Sequence, residues 1–499
     1  MSKFTKQDKP IIVIALALFL SLYSVITPAL FAQNSSDVEN SAKSRQYLEL
    51  INSVFTFVQQ NYVDEVDPKI IYEGAMKGIM DSLGDTYTSY LNEKQMRAMS
   101  DTTVGNFGGV GLSISKPAES TPEKPAYVEV ASPIEDTPGW KAGIQSGDLL
   151  LEINGVKTPD ITMDEVLGIL RGKIGESVNL LIRRGKTMEF PVTLVRALIE
   201  VPTVKFGMIK ENGNNIGYLR IIEFTPQTPE RVQQALDSFK EDDFSGLIID
   251  LRNNPGGLIT SVVDVADKFI DSGPIVSTKS RHSYENSVYT ASSRRTTMPK
   301  NIPIVVLINK GSASASEILS GALKDNHLAY LVGERTYGKG SVQQVVPLPN
   351  SDGIKLTMAR YYTPSDSNID KIGIPPDLIV KMPELSEEEE KIYIELITST
   401  EIADYVESHP NMTEAHITAY AKQLGYKYKM NQLYLRRLVK LEVYRTRTQP
   451  LYDLDFDIQL NEAINVVKSS NFKNLLKMTK TLKELQEIAA KEVEIADKK

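Results

Sequence analysis

The stretch from Ile304 to Gln343 constrains this chain more than any other. It opens on Ile304-Val305-Val306-Leu307-Ile308, a β-branched apolar run with the length of a buried strand. Asn309-Lys310-Gly311 breaks the run, and a helical pattern follows with apolar residues at Ile318, Leu319, Ala322 and Leu323. Ser314 therefore falls where a strand turns into the first turn of a helix. Free N–H groups and the helix dipole favour developing negative charge there, which suits a nucleophile. A serine hydroxyl is weak until a base takes its proton. The four histidines are His282, His327, His409 and His416, and the local string Gly311-Ser312-Ala313-Ser314-Ala315 is not a G-x-S-x-G elbow. A lysine serves as base when burial disfavours its charged form. Lys339, between Gly338 and Gly340, is the candidate. Plainer readings stand beside these. Ser314-x-x-Glu317 is also a capping box, and a lone lysine in a loop is usually a surface lysine. Ser312 and Ser316 rival Ser314 as nucleophile.

Two strings shift that balance. Asn309-Lys310-Gly311-Ser312-Ala313-Ser314-Ala315-Ser316-Glu317-Ile318 and Thr336-Tyr337-Gly338-Lys339-Gly340-Ser341-Val342-Gln343 resemble the two signatures of the C-terminal processing peptidases. These are tail-specific serine proteases with a Ser-Lys-Gln centre. The resemblance implies that Ser314 is the nucleophile, Lys339 the general base and Gln343 the residue that orients the lysine. It also implies that no cofactor is needed.

Composition narrows the function classes. The 499 residues are 41% hydrophobic and 24% charged, an ordinary globular mix whose length suggests roughly three domains of about 150 residues. A net charge of −8 gives no argument for a nucleic-acid partner. The absence of cysteine excludes disulfides, thiol nucleophiles and thiolate metal sites. There is no H-E-x-x-H helix, Walker loop or G-x-G-x-x-G, so no metal or nucleotide is expected. Ile11 to Ala32 is an almost uncharged apolar stretch behind Lys3, Lys6 and Lys9, the pattern of an export signal or membrane anchor. Ala32 before Gln33 suits a cleavage site, Leu30 at −3 does not, and the stretch is also long enough to span a bilayer. Either way the rest of the chain is expected outside the cytoplasm, in the periplasm or cell envelope of a double-membrane bacterium.

From Ser41 to about Met99 the pattern is helical. Leu48, Ile51, Phe55 and Val58 share one helix face, suited to packing or a dimer contact. A second helix over Pro68–Leu83 has Asp67 as its N-cap, and Gly84 to Tyr90 resembles the segment that precedes the family's recognition domain. Phe107 to Ile114 is a glycine-rich turn running into a strand, where N–H groups can form an anion nest and a strand edge can take a peptide. Tyr127–Pro133, Ala142–Leu150 and Ile153-Asn154-Gly155 resemble a PDZ domain of the bacterial protease type, over about Val104 to Arg196. That implies capture of a substrate's C-terminal carboxylate by Gly109, Val110, Gly111 and Leu112. In some members of the family an arginine of the following region contacts the catalytic module when peptide is bound. The position here is Arg171, for which a solvated loop arginine is the plain alternative.

Ile216–Ile221 and Gly246–Arg252 read as strands with a helix around Glu230–Phe239 between them, an alternation that makes an α/β core. Asp250-Leu251-Arg252-Asn253-Asn254-Pro255-Gly256-Gly257 matches a family segment and implies an oxyanion hole from a glycine N–H, Gly257 rather than Gly256, and the Ala315 N–H. Resemblance makes this core crotonase-like, closed by Gly373–Asp377. After Glu384 the chain reads as polar helices with apolar residues Leu433, Leu438, Leu451 and Leu460, a dimer arm or adaptor-binding module.

The expected organisation is a signal or anchor over 1–33 and a helical region over 34–103. The PDZ domain follows over 104–196, the protease core over 197–382 and the C-terminal helical region over 383–499. The expected activity is an exported endopeptidase acting on proteins with free C-termini, in a homo-oligomer and with an adaptor where one is needed. The rival from another class is a catalytically silent peptide-binding scaffold.

Overall fold

A computed structural model describes residues 38–497, except 105, 118–120, 122–124, 135–136, 146, 186, 201, 212 and 445–449. The apolar segment 11–32 lies outside the described residues. Among those described, no helix is long and apolar enough to cross a membrane. The chain divides into two compact units after Tyr90.

The first unit holds helices α1 (Val38–Asn61) and α2 (Pro68–Asp81). Asp67 accepts the Lys69 N–H (2.8 Å) and Pro68 fills the first turn of α2, where a missing N–H costs nothing. On α1 the apolar face contains Leu48 and Ile51, both exposed, and Phe55 and Val58, which are half-buried.

The second unit begins with an antiparallel sheet of β1 (Leu112–Ser115), β2 (Val128–Pro133), β3 (Leu149–Ile153), β4 (Ser177–Arg184) and β5 (Met188–Val195), paired in that order. Helix α3 (Met163–Leu170) contributes Val166 and Leu170 to its core. Among the described residues β1 is an edge strand, paired only on its β2 side. Just outside this sheet, Asn106–Gly109 pairs with Ala197–Glu200, so the chain enters and leaves it side by side. Arg196 is buried at that exit and donates to the carbonyls of Ile169 (2.7 Å) and Leu170 (3.3 Å), a cation at a helix C-terminus.

The core is a six-stranded sheet of β6 (Val204–Glu211), β7 (Asn214–Ile221), β8 (Gly246–Asp250), β11 (Ile304–Ile308), β12 (Tyr330–Gly333) and β15 (Leu378–Ile379). Only the β6–β7 pair is antiparallel. Every residue of β8 and β11 is buried, as unbroken apolar runs require when both faces are covered. Leu247, Ile249, Ile304, Val306 and Ile308 face one cluster, with helices α4 (Thr228–Glu241), α5 (Ile259–Ala266) and α6 (Ala315–Asp325). Ile248, Val305 and Leu307 face the other. A second sheet pairs β13 (Ser341–Pro347), β14 (Gly353–Tyr362), β9 (Ser272–Ser280) and β10 (Ser287–Ser292), all antiparallel, in that order.

After Glu384 the chain divides between two roles, which reading it as one helical module did not anticipate. Helices α7 (Glu387–Thr398), α8 (Glu401–Ser408), α9 (Glu414–Lys427) and α10 (Gln432–Val443) build a core of their own, which includes Leu438. Helix α11 (Ile458–Val467) instead lays Leu460, Ala463, Ile464 and Val467 on the second face of the central sheet. Leu451 lies in a loop rather than a helix and packs on that same cluster. Arg252 fixes the junction, holding Asp250 (2.6 Å) and Asp457 (2.6 Å) at once. Helix α12 (Phe472–Met478) follows, and α13 (Leu482–Asp497) ends the chain with Leu482 buried against the first cluster. The Leu482 N–H is given to Asp325 at the end of α6 (2.7 Å).

Candidate active site

The site forms where the loops after β8 and β11 meet the chain entering β13. β11 ends at Ile308, and the Asn309 side chain ties the turn by accepting the N–H groups of Gly311 (3.0 Å) and Asn253 (2.9 Å). Ser314 precedes α6 with φ +54° and ψ −113°, a conformation costly for a residue with a Cβ and typical of functional sites. Asn254, fully buried, holds the two loops together. Its carbonyl accepts the Ala313 N–H (3.0 Å) and its side chain spans Ile221 (2.9 Å) and Gly256 (2.8 Å).

The three candidate serines separate on their hydrogen bonds. Ser312 Oγ donates to the Leu251 carbonyl (2.8 Å) and Ser316 Oγ to the Asn254 carbonyl (3.0 Å). Both are fully buried. The Ser314 hydroxyl makes neither bond, and Ser314 is 6% exposed. The capping box of the sequence is formed: the Glu317 carboxylate takes the Ser314 N–H (2.9 Å), and the Glu317 N–H reaches back to Ser314, 2.9 Å from its carbonyl.

One glycine lies against the serine and the next against Phe224. A Cβ on Gly256 would stand 2.8 Å from Ser314 Cβ and 2.9 Å from the Ala315 nitrogen, and one on Gly257 would stand 2.2 Å from the Phe224 carbonyl oxygen. Both glycines also have positive φ, +109° and +137°, so side chains are excluded twice. The Gly256 N–H is spent on Asn254 Oδ1 (2.8 Å). Phe224 bonds the Gly256 carbonyl and the Leu258 N–H, which leaves the Gly257 N–H outside that bridge. No turn, loop or side-chain bond among the described residues takes the Ala315 N–H, at the start of α6.

Glu317, read from the sequence as part of a cap, is the hub of the site. Its buried carboxylate accepts the Ser314 N–H (2.9 Å), the Lys339 N–H (2.8 Å), the Gly338 N–H (2.7 Å) and the Thr336 hydroxyl (2.5 Å). Ser314 and Lys339 share one carboxylate oxygen, so their backbone nitrogens lie within two hydrogen-bond lengths of each other. Burial pushes the Glu317 carboxyl above its ordinary range, against the pull of those four donors. Lys339 is half-buried, not a surface lysine. Burial lowers its pKa, the like charge of Lys355 lowers it further, and Glu317 opposes both. Gln343, opposite the bulge at Met358 in β14, donates to Ser341 Oγ (2.8 Å) and Thr357 Oγ1 (3.3 Å). Lys355, on β14, was not found by sequence reasoning, and no local pattern marks it.

At the far sheet, the Val110 carbonyl accepts the Gly139 N–H (2.8 Å) and the Gly111 carbonyl the Ile134 N–H (2.9 Å). In a trans peptide the N–H points opposite to the carbonyl of the same plane. The N–H groups of Gly111 and Leu112 therefore point away from those partners, at the start of edge strand β1. Gly109 lies just before, in the ribbon with Ala197. Arg171, half-buried, closes α3, and its neighbour Gly172 donates to the Gly108 carbonyl (3.0 Å).

Three family models match the chain: Peptidase family S41 over residues 215–380, PDZ domain over 129–184, and Activating protease CtpB N-terminal domain over 21–95. The chain is 36% identical over 354 residues to a carboxy-terminal-processing protease of Bartonella bacilliformis, covering 70% of this chain and 78% of that one. It is 36% identical over 314 residues to a carboxyl-terminal-processing protease of a Synechocystis strain, covering 62% and 71%. Among solved structures it is similar to a photosystem II D1 C-terminal processing protease, with 29% identity over 66% of this chain and 92% of that one and a TM-score of 0.41.

Proposed function

The chain belongs to the carboxy-terminal processing proteases, serine peptidases of family S41 with a PDZ domain, and from that premise we propose that Ser314, Lys339 and Gln343 form its catalytic centre. The observation that carries the assignment is the Ser314 junction. Of the three serines, Ser314 alone does not give its hydroxyl to a backbone carbonyl, and its backbone shares an acceptor with a half-buried lysine.

In the proposed reaction the uncharged Lys339 amine accepts the Ser314 proton as Oγ bonds the scissile carbonyl carbon. The carbonyl electron pair moves onto oxygen, held by the Ala315 and Gly257 N–H groups, donors that contribute about 10²–10³ in rate each. The lysine ammonium then gives its proton to the leaving amine as the C–N bond breaks. Water, deprotonated by the same lysine, releases the acyl group and restores the serine. The lowered pKa of Lys339 supports its role as base, and Gln343 takes the orienting role from its place in the family motif.

Substrate choice follows from charge. The outward N–H groups around Gly109, Val110, Gly111 and Leu112 take a C-terminal carboxylate, and the open edge of β1 extends the peptide as an added strand. Arg171, at the end of α3 beside that turn, is the proposed sensor between the PDZ domain and the catalytic module. The basic and apolar start of the sequence supports export to the periplasm or cell envelope. The exposed apolar face of α1 supports a homo-oligomer, and the separate core of α7–α10 suits an adaptor.

The test is cleavage of a loosely folded protein, and of matched peptides with free and amidated C-termini. Ser314→Ala and Lys339→Ala should each lower the rate by about 10⁴-fold or more, and the amidated peptide should be cut more slowly by the parent. Equal cleavage by all three proteins would overturn the assignment. No cleavage by the parent would favour the silent scaffold.

A further inference from the structure

We propose that the cavity between β7 and α10 is a further binding site, for a carboxylate carried on an apolar body the size of one side chain. The site stands apart from the protease centre and does not depend on how that centre is read.

The cavity has a volume of about 200 Å³ and lies where the C-terminal region meets the central sheet. Its cations outnumber its carboxylates. Arg220, Arg252, Arg437 and Lys440 line it, against Asp453 and Asp457. Both carboxylates are already taken. Asp457 holds Arg252 through two bonds (2.7 and 2.6 Å), and Asp453 holds Lys440 (2.9 Å). Arg252 and Lys440 are held from outside the cavity as well, by Asp250 (2.6 Å) and Glu414 (3.0 Å). Arg220 and Arg437 are left over. Among the described residues neither makes an ion pair or gives a hydrogen bond. The residues between Tyr444 and Pro450 are Arg-Thr-Arg-Thr-Gln, so the sequence supplies no carboxylate there.

The surplus charge is held in position. The Arg437 guanidinium lies over the Phe456 ring, 4.3 Å from its centre, a contact that spends none of its N–H groups on an acceptor. Arg220 is two residues from Tyr218 on β7, so both side chains leave the same face of the sheet. It is half-buried, and a charge partly withdrawn from water is costly until it is paired. The remaining walls are apolar. Tyr218 gives its phenol to Asp250 (2.7 Å) and Tyr452 gives its own to the Met208 carbonyl (3.3 Å). The two rings meet edge to face with centres 5.7 Å apart. With those polar ends spent inside the chain, the rings offer the cavity their carbon surface.

These features choose the ligand. A guanidinium presents a planar fork of donors that matches a carboxylate, and the rings take the apolar body behind it. Size excludes larger anions, since sites for drug-sized ligands run to about 300–1,000 Å³. One aromatic or branched acid fits where a nucleotide does not. Free small acids and the last residue of a peptide share this chemistry.

The probe is 4-fluorophenylacetate, followed by its fluorine NMR signal in a titration with the full chain. It lacks the peptide backbone that strand pairing at β1 requires. The parent should bind it saturably. Arg220→Gln and Arg437→Gln should each weaken binding about 10- to 100-fold, the range for a lost bond to a charged group. The neutral 4-fluorophenylacetamide should bind the parent more weakly by a similar factor. Neither arginine is in an ion pair, so both variants should stay folded. Arg437→Lys keeps the charge, loses the fork and should fall between parent and Arg437→Gln. Absence of saturable binding overturns the proposal, and so does equal binding of acid and amide. Parent-like affinity in either glutamine variant also overturns it, because the probe then sits elsewhere. Displacement from the Ser314→Ala protein tells the two sources apart. An acetylated tripeptide ending in phenylalanine competes with the probe if the cavity reads a chain end, whereas competition by phenylacetate alone means a small acid. Failure of phenylacetate itself to compete overturns the site.

Discussion

In α6 every residue from Ala315 to Lys324 is buried, whereas on α1 Leu48, Ile51 and Val54 stand 63%, 50% and 55% exposed. Both helices carry apolar residues at helical spacing. What differs is the polar residues between them. Those of α6 are each met inside the chain: Ser316 by the Asn254 carbonyl, Ser320 by the Ser316 carbonyl, Glu317 by its four donors and Lys324 by Asp377. A helix can be buried on all sides only when its polar groups are satisfied in place. Periodicity reveals that a face exists, and partners decide whether the chain itself covers it.

The sharpest way to break the contrast is at Glu317. Glu317→Leu leaves the Ser314, Gly338 and Lys339 N–H groups and the Thr336 hydroxyl without their acceptor. An orphaned buried donor costs about 1–3 kcal/mol, so the variant should lose several kcal/mol of stability in denaturant unfolding, together with nearly all activity. Glu317→Gln keeps the volume but turns an amide toward donors. It should remain folded with activity down by about 10²-fold, since a small displacement of reacting groups has that effect. Full activity in Glu317→Gln would show that the carboxylate merely caps α6.

A gentler test reads the electrostatics of the same crossover. Lys339 must be uncharged to accept a proton, so activity should rise with pH through its pKa, which burial holds below the usual lysine range. Lys355 adds to that lowering through like charge, because a nearby cation disfavours the ammonium form. Lys355→Gln removes the repulsion, makes the Lys339 ammonium easier to keep and raises its pKa. The acid limb of kcat/KM against pH should move to higher pH, with activity several-fold lower near neutrality and recovered in alkali. A limb that moves down would contradict the sign, and a still limb would show that Lys355 is too well solvated to matter.

The strand and turn of this crossover were legible in the sequence to the residue. Ile304–Ile308 is β11, and Asp67 with Pro68 starts α2. Such features rest on near neighbours along the chain, whose spacing the sequence displays. Glu317 was visible only in its local role, since a capping box and a hub present the same Ser-x-x-Glu string. Three of its four donors come from a loop some twenty residues on. Lys355 could not be read at all, because its charge acts on Lys339 only once β14 is in place. Two covered faces were implicit in the apolar runs of β8 and β11, but nothing local showed that α11 supplies the second cover. For Ser312 and Ser316 the sequence left the choice open, and their buried carbonyl partners distinguish them from Ser314.

The smallest effect on the protomer belongs to α1. If its apolar face is covered by a second copy, as proposed, Leu48→Ser with Ile51→Ser removes nothing that the folded chain packs inside itself. Surface substitutions of this kind usually change stability by no more than about 0.5 kcal/mol, so the unfolding midpoint of a dilute sample should barely move. Association should respond far more, because each leucine or isoleucine kept from water contributes about 1.5–3 kcal/mol, and in a symmetric pair each substitution counts twice. Sedimentation should therefore give a smaller particle for the double variant than for the parent at equal concentration. An unchanged mass would show that the face lies outside the interface. An unfolded variant would show that α1 is packed like α6 after all, and the contrast between the two helices would disappear.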